Sequence, residues 1–396
     1  MLVITFPLEV LSKWKKCSKN NQKRSTECNT ASCMCSLGKE FVLVINSGRV
    51  RILNYFPNDD KTHYFDTSYL PAQHKKITFK DIKAIIKEPI KFENLFLINA
   101  DIKVNLPDDK SHCFQCEHSK CHLMIENTKL YGGKNLGHVF QVSSGEVRVT
   151  GSEFINFRKF VSMFHITAGI KVNFSNNIFR SNSNFQHLMN IQKVEKNLVL
   201  ANNIFKDEQR CEKSYLRLLS PNSHLLENKF ENITSYSLIF IKTDEKSMTS
   251  LTKIVSNTFL YNYCYHLCIS KKDNNNLTME FQQNYYNSNT LLKDTAMNLE
   301  ADSISMFGEN FVATKQITQF FQLSTPRLQI RSSCFEIAED FEDCPLLNAV
   351  EDKNPKLTNL GFILRHQFTC KEELVYFCGL DGNYIENYND SIVCNS

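Results

Sequence analysis

Apolar and polar positions along residues 147–335 follow one short pattern that recurs eight times, each time closing on an aromatic. These aromatics are Phe154, Phe179, Phe205, Phe230, Phe259, Tyr286, Phe311 and Phe335. They lie 25, 26, 25, 29, 27, 25 and 24 residues apart, so a period persists while the segments between vary in length. Such a period predicts a solenoid, in which each repeat buries its apolar face only against its neighbours. Five residues before each aromatic stands Val149, Phe174, Leu200, Leu225, Ile254, Phe281, Met306 or Ile330. Seven before it stands Val147, Val172, Leu198, Ser223, Thr252, Met279, Ile304 or Leu328. Positions minus seven and minus five share one face of a strand.

Position minus two, in phase with the aromatic, is Asn177, Asn203, Asn228, Asn257 or Asn284 in five repeats. The step from minus five to minus two breaks the alternation, so a corner is expected between them. Asn suits a corner because it tolerates left-handed backbone angles and its amide satisfies freed backbone groups. Stacked along the axis, these amides are expected to bond as a ladder beside a stack of aromatics. Leu95, Leu97 and Ile102, then Leu123, Ile125 and Leu130, extend the spacing upstream. Apolar runs are short and bounded by Asn, Ser and Lys, unlike the long 3.6-residue patterns of helical repeats.

The runs "SNNIF" (175–179), "ANNIF" (201–205), "LENKF" (226–230) and "VSNTF" (255–259) carry a family resemblance. They resemble the right-handed parallel β-helix of the pectin-lyase-like superfamily, in particular the Asn-x-Phe repeats of protist surface proteins and of polymorphic outer-membrane proteins. The resemblance implies an all-β solenoid of about 9–11 coils with a period of about 25 residues and Cys-containing caps. It implies no single activity, because that superfamily holds lyases, hydrolases, adhesins and inert scaffolds. The expected organisation is a basic Cys-bearing segment (1–40), N-terminal strands or a cap (41–75), the β-helix (76–345) and a C-terminal cap or Cys-rich module (346–396). Within 41–56, "FVLVINSGRVRILNYF" predicts a hairpin turning at Asn46-Ser47-Gly48. The run "CKEELVYFCGLDGNYIENYNDSIVC" (370–394) resembles the opening of a growth-factor-receptor-like or furin-like module, which implies a larger surface protein.

Composition narrows the compartment. The chain has 396 residues with 15 Cys, 12 Gly and 9 Pro, and a formal net charge of +4. That charge, with both signs interspersed and no basic groove, gives no reason to expect nucleic acid. Fifteen cysteines, densest toward the ends, point to an oxidising compartment with disulfide-closed caps. Cys264 with Cys268, and Cys370, Cys378 and Cys394 with one another or with Cys344, are the expected pairs. N-glycosylation sequons stand at Asn173, Asn232, Asn276 and Asn389. Met1–Leu11 is followed rather than preceded by Lys13, Lys15 and Lys16, the reverse of a secretory signal, so the expectation is a start further upstream or unconventional export. No window holds the run of about eighteen apolar residues that a membrane-spanning helix needs, so a membrane is expected only indirectly.

Candidate chemistry is sparse. "SHCFQCEHSKCH" (111–122) carries Cys113, Cys116, Cys121 and His118, ligand types for zinc, but no second Cys pair follows. A disulfide-pinned loop projecting from the solenoid side is the favoured reading of this stretch. His165, His187, His224 and His266 fall in different repeats as separate solvent-facing or hydrogen-bonded residues. The superfamily's hydrolase motifs are missing from the repeats, and the only Asp-Asp pairs, Asn58-Asp59-Asp60 and Asp108-Asp109, sit outside them. No catalytic residue, metal or cofactor is assigned. The expected function is a non-catalytic extracellular or cell-surface recognition or adhesion module contacting a protein or a glycan. Its rivals are a polysaccharide-active lyase or hydrolase with a non-standard site and a passive scaffold subunit. Several acidic residues in a groove would favour the enzyme, and a wide flat apolar patch would favour the scaffold.

Overall fold

The computed structural model describes residues 73–107, 112–220, 222–243, 249–272, 276–292, 295–312 and 319–337, together with short strands on either side. Every regular element among the described residues is a β-strand, and nearly all pair in parallel. The chain winds as a parallel β-solenoid, with coils stacked so that each repeat supplies three strand segments.

The first segment carries the minus-seven and minus-five positions. Leu95, Leu123, Val147, Val172, Leu198, Ser223, Thr252, Met279, Ile304 and Leu328 form one register column in sequence order. The second segment is a strand of about three residues, such as Ile178–Arg180 or Thr258–Leu260, with the aromatic at its centre. Its column runs from Phe65 through Ala84, Ile102 and Leu130 and continues through all eight aromatics. Neighbouring rings from Phe154 to Phe335 are stacked, with centroids 4.8, 5.1, 4.8, 4.8, 4.8, 4.1 and 5.4 Å apart. This is the spacing that strand pairing imposes. The third segment, for example Ser183–Ile191 or Tyr263–Lys271, closes the tube and supplies Phe164, Leu188, Tyr215 and Leu267 to the core.

The corner lies where the alternation breaks, yet the residue that turns it is at minus three. Asp81, Asn99, Asn127, Gly151, Asn176, Asn202, Glu227, Ser256, Gln283, Gly308 and Ser332 all have φ between 47° and 68°. The minus-two residues instead point inward as a buried hydrogen-bond column. Asn177 N and Nδ2 both donate to Asn203 Oδ1 (3.1 and 3.0 Å), and Asn177 Nδ2 also donates back to Val149 O (2.9 Å). The same triad of bonds recurs at Asn203, Asn228 and Asn257. Thr128 and Ser152 continue the column upstream, and Glu309 and Ser333 end it.

A second column, which the sequence reading missed, stands three residues after the aromatic. Asn182, Glu208, Asn262 and Asn289 are buried there, and Asn262 Nδ2 donates to Asn289 Oδ1 (2.9 Å) and to Phe230 O (3.1 Å). The strands of Phe179, Phe205, Phe259 and Tyr286 therefore lie between two buried polar columns, whereas Phe157 and Ile233 take the plus-three place after Phe154 and Phe230.

At the ends, Val42–Asn46 and Arg49–Tyr55 form the expected antiparallel hairpin, and its second strand pairs in parallel with Gln73–Ile86. Downstream, Phe335 pairs with Phe362 and Ile330 with Leu357. The repeat thus runs one rung beyond Phe335, where the sequence pattern had faded because the spacer there is acidic.

Candidate functional site

A groove of about 610 Å³ opens on the outer side of the third segment, across the coils that hold residues 161–240. Its polar lining is Gln186, His187, Asn190, Glu212, Lys213, Ser214, Arg217 and Tyr236, with Val161 and Phe240 as apolar walls. Strand Ile204–Leu218 bulges against both neighbours here, with register shifts between Phe185 and Met189 on one side and between Glu208, Cys211 and Ser214 on the other. These irregularities pull the outer surface out of register with the core and make the groove.

Two cation–amide pairs repeat along it. Arg217 Nη1 donates to Asn190 Oδ1 (2.9 Å), and Lys213 Nζ donates to Gln186 Oε1 (3.1 Å). Asn190 Nδ2 in turn meets His165 Nδ1 (3.2 Å). His187 Nδ1 lies 2.6 Å from Ser214 O, so that nitrogen carries the hydrogen and Nε2 keeps its lone pair. Burial pushes the His187 pKa down to about 4, the Ser214 carbonyl opposing it and Arg217 adding to it. The imidazole is neutral at physiological pH.

Tyr236 lines the groove, and further exposed tyrosines follow on the next coil. Tyr236 and Tyr265 pack with centroids 5.1 Å apart, and Tyr236, Tyr261, Tyr263 and Tyr265 are 40%, 59%, 44% and 36% exposed. His266 meets the edge of Tyr236 and bonds Thr295 O through Nδ1 (2.9 Å). Nothing in the linear pattern signals this assembly. His165, His187 and Arg217 occupy neighbouring coils, and only three-dimensional stacking joins them.

The sequence-predicted residues fall elsewhere. Cys116 and Cys121 form a disulfide with Cα atoms 6.1 Å apart, while Cys113 is free and fully buried. His118 is exposed and faces Glu93 (3.4 Å), so the zinc alternative has no convergent ligand set. The stretch does not project as a whole. His112–Cys116 and Cys121–Glu126 are coil strands, and only 117–120 turn outward between them.

The pairing of Cys264 with Cys268 is corrected. Both are free, buried and four residues apart on one extended strand, a separation of about 13 Å, against the roughly 4.4–6.8 Å a disulfide needs. Cys344, Cys370, Cys378 and Cys394 lie outside the described residues, as does Asn389.

Among the other sequons, Asn232 is exposed at a left-handed corner (φ 53°), with Nδ2 bonded to Asp207 Oδ1. Asn276 is exposed at the start of its strand, and Asn173 is half-buried in mid-strand. No cluster of three metal-ligating side chains occurs among the described residues. The groove can therefore hold a ligand by charge, amide hydrogen bonds and aromatic contact. Compared with known protein families, with curated proteins and with solved structures, the chain finds no match.

Proposed function

We propose that the protein is a non-catalytic extracellular or cell-surface recognition module whose β-solenoid, of the right-handed pectin-lyase-like kind, presents a glycan-binding groove. The observation that carries this reading is the groove itself, with amide-held cations beside a paired tyrosine surface. Sugars are held by such a combination, hydroxyls on amides and charged groups and C–H faces on aromatic rings. The Cys116–Cys121 disulfide supports an oxidising compartment.

Glycoside hydrolysis needs two carboxyl groups facing each other across the bond. Glu212 alone lines the groove, which favours binding over turnover. A scaffold role finds less support, since four of the six exposed large apolar side chains among the described residues are tyrosines rather than part of a broad aliphatic face.

The test is a screen of immobilised oligosaccharides against the native protein and a Tyr236→Ala, Tyr265→Ala double variant. Binding by the native protein, weakened in the variant and without sugar cleavage, is expected. Retention of no oligosaccharide, or release of new reducing or unsaturated ends, overturns the reading.

A further inference from the structure

Building on the glycan reading above, we propose that the groove selects acidic oligosaccharides, with Arg217 and Lys213 each receiving an anionic substituent of the sugar chain. Several cations elsewhere on the solenoid surface pair with carboxylates: Lys253 with Glu280 (3.0 Å), Lys229 with Glu231 (2.8 Å) and Lys272 with Asp302. Arg217 and Lys213 are held differently. Among the described residues, each is held by a neutral amide oxygen and neither meets a carboxylate.

An amide acceptor orients a cation without discharging it, which leaves the remaining donors and the full charge for a ligand. Arg217 is half-buried, so its guanidinium sits in a medium of lower dielectric than water and attracts an anion more strongly there. The neutral imidazole of His187 between them offers Nε2 as an acceptor for a sugar hydroxyl, and the one carboxylate in the lining, Glu212, bonds to neither cation. Four residues of strand separate the two cations, at most about 13 Å, a span suited to substituents on different units of one chain.

An acidic peptide would satisfy the charges equally well, but the fold disfavours it. Peptides recognised on sheets add as strands to a free edge. The strands lining this groove are paired on both sides within the coil stack, so no edge is open. The tyrosine pair supplies instead aromatic faces for a sugar ring.

The test is calorimetric titration of the full chain at low and high salt with four probes of similar length. These are a sulfated oligosaccharide, an oligouronate carrying only carboxylates, a neutral β-glucan oligosaccharide and an oligoglutamate peptide. We expect one or both acidic sugars to bind, with affinity falling as salt rises. Arg217→Ala and Lys213→Ala should each weaken binding about tenfold or more, the range of a charge-assisted hydrogen bond. Lys206→Ala, outside the groove, should leave binding unchanged, and circular dichroism checks that each variant is folded. Equal binding of the neutral oligosaccharide, or indifference to both substitutions, overturns acidic selection while leaving glycan recognition standing. Binding of oligoglutamate with no affinity for any sugar overturns both.

Discussion

Asn203 shows how much one side chain does in this fold. Its Oδ1 accepts from Asn177 N and Nδ2, and its Nδ2 donates to Phe174 O (3.0 Å) and Asn228 Oδ1 (2.9 Å). Asn203→Leu would leave several buried groups unpaired at about 1–3 kcal/mol each, so we expect a loss of about 3–5 kcal/mol in chemical unfolding. Glu309 occupies the same ladder but cannot behave as an amide. Burial pushes its carboxyl pKa up to about 8, with bonds from Asn284 and Tyr286 opposing the rise. The folded state thus holds a proton that the unfolded chain releases near its ordinary value of 4.5. The stability it contributes is complete below that value and is lost as pH rises through about 8. Glu208, raised in the same direction by burial, adds to the trend. Denaturation of Glu309→Gln across pH 4.5–8 should show a flatter stability profile than the native chain. His138 and His187, pushed down by burial to about 3 and about 4, act oppositely: their share is present above pH 6.5 and lost as pH falls toward those values.

At the level of strands, the columns at minus seven, minus five and the aromatic were legible because identity and burial coincide there. A central aromatic, Phe205, stacks between Phe179 and Phe230 and meets Tyr215 edge-on. Phe205→Ala should cost about 3–5 kcal/mol, while its neighbour Lys206→Ala should cost little in the same thermal or denaturant assay. The left-handed position was assigned to the wrong residue. Asn at minus two drew the assignment because Asn favours that conformation, but its amide was needed inside. The turning residue one place earlier is Asp, Asn, Gly, Glu, Ser or Gln, too varied to read as a column. The plus-three ladder hid for a related reason, since Ile233 interrupts Asn182, Glu208, Asn262 and Asn289. Cysteine spacing misled because residues close in sequence on an extended strand are far apart in space. Cys113, Cys211, Cys264 and Cys268 are buried, and burial holds their thiol pKa values up. Thiol alkylation should therefore spare these four in the folded protein and modify them after unfolding, and non-reduced peptide mapping should recover Cys116 linked to Cys121.

For the whole molecule, the groove was illegible because its residues come from coils 23–27 positions apart, with register shifts between them. Coil stacking alone brings Gln186, Lys213, Asn190 and Arg217 together. The same stacking ties each coil mainly to its two neighbours, so damage to one ladder residue should loosen nearby coils before distant ones, an outcome that hydrogen exchange of Asn203→Leu would resolve. The register shifts around Phe185–Met189 and Glu208–Ser214 have a further consequence. Part of the variation in repeat length is absorbed there, on the outward side, while the ring stack and amide ladders keep their rise per coil. Heredity can therefore lengthen, shorten or recharge the groove wall without renegotiating the tube, so descendants of one solenoid could diverge in what they hold while remaining the same object mechanically.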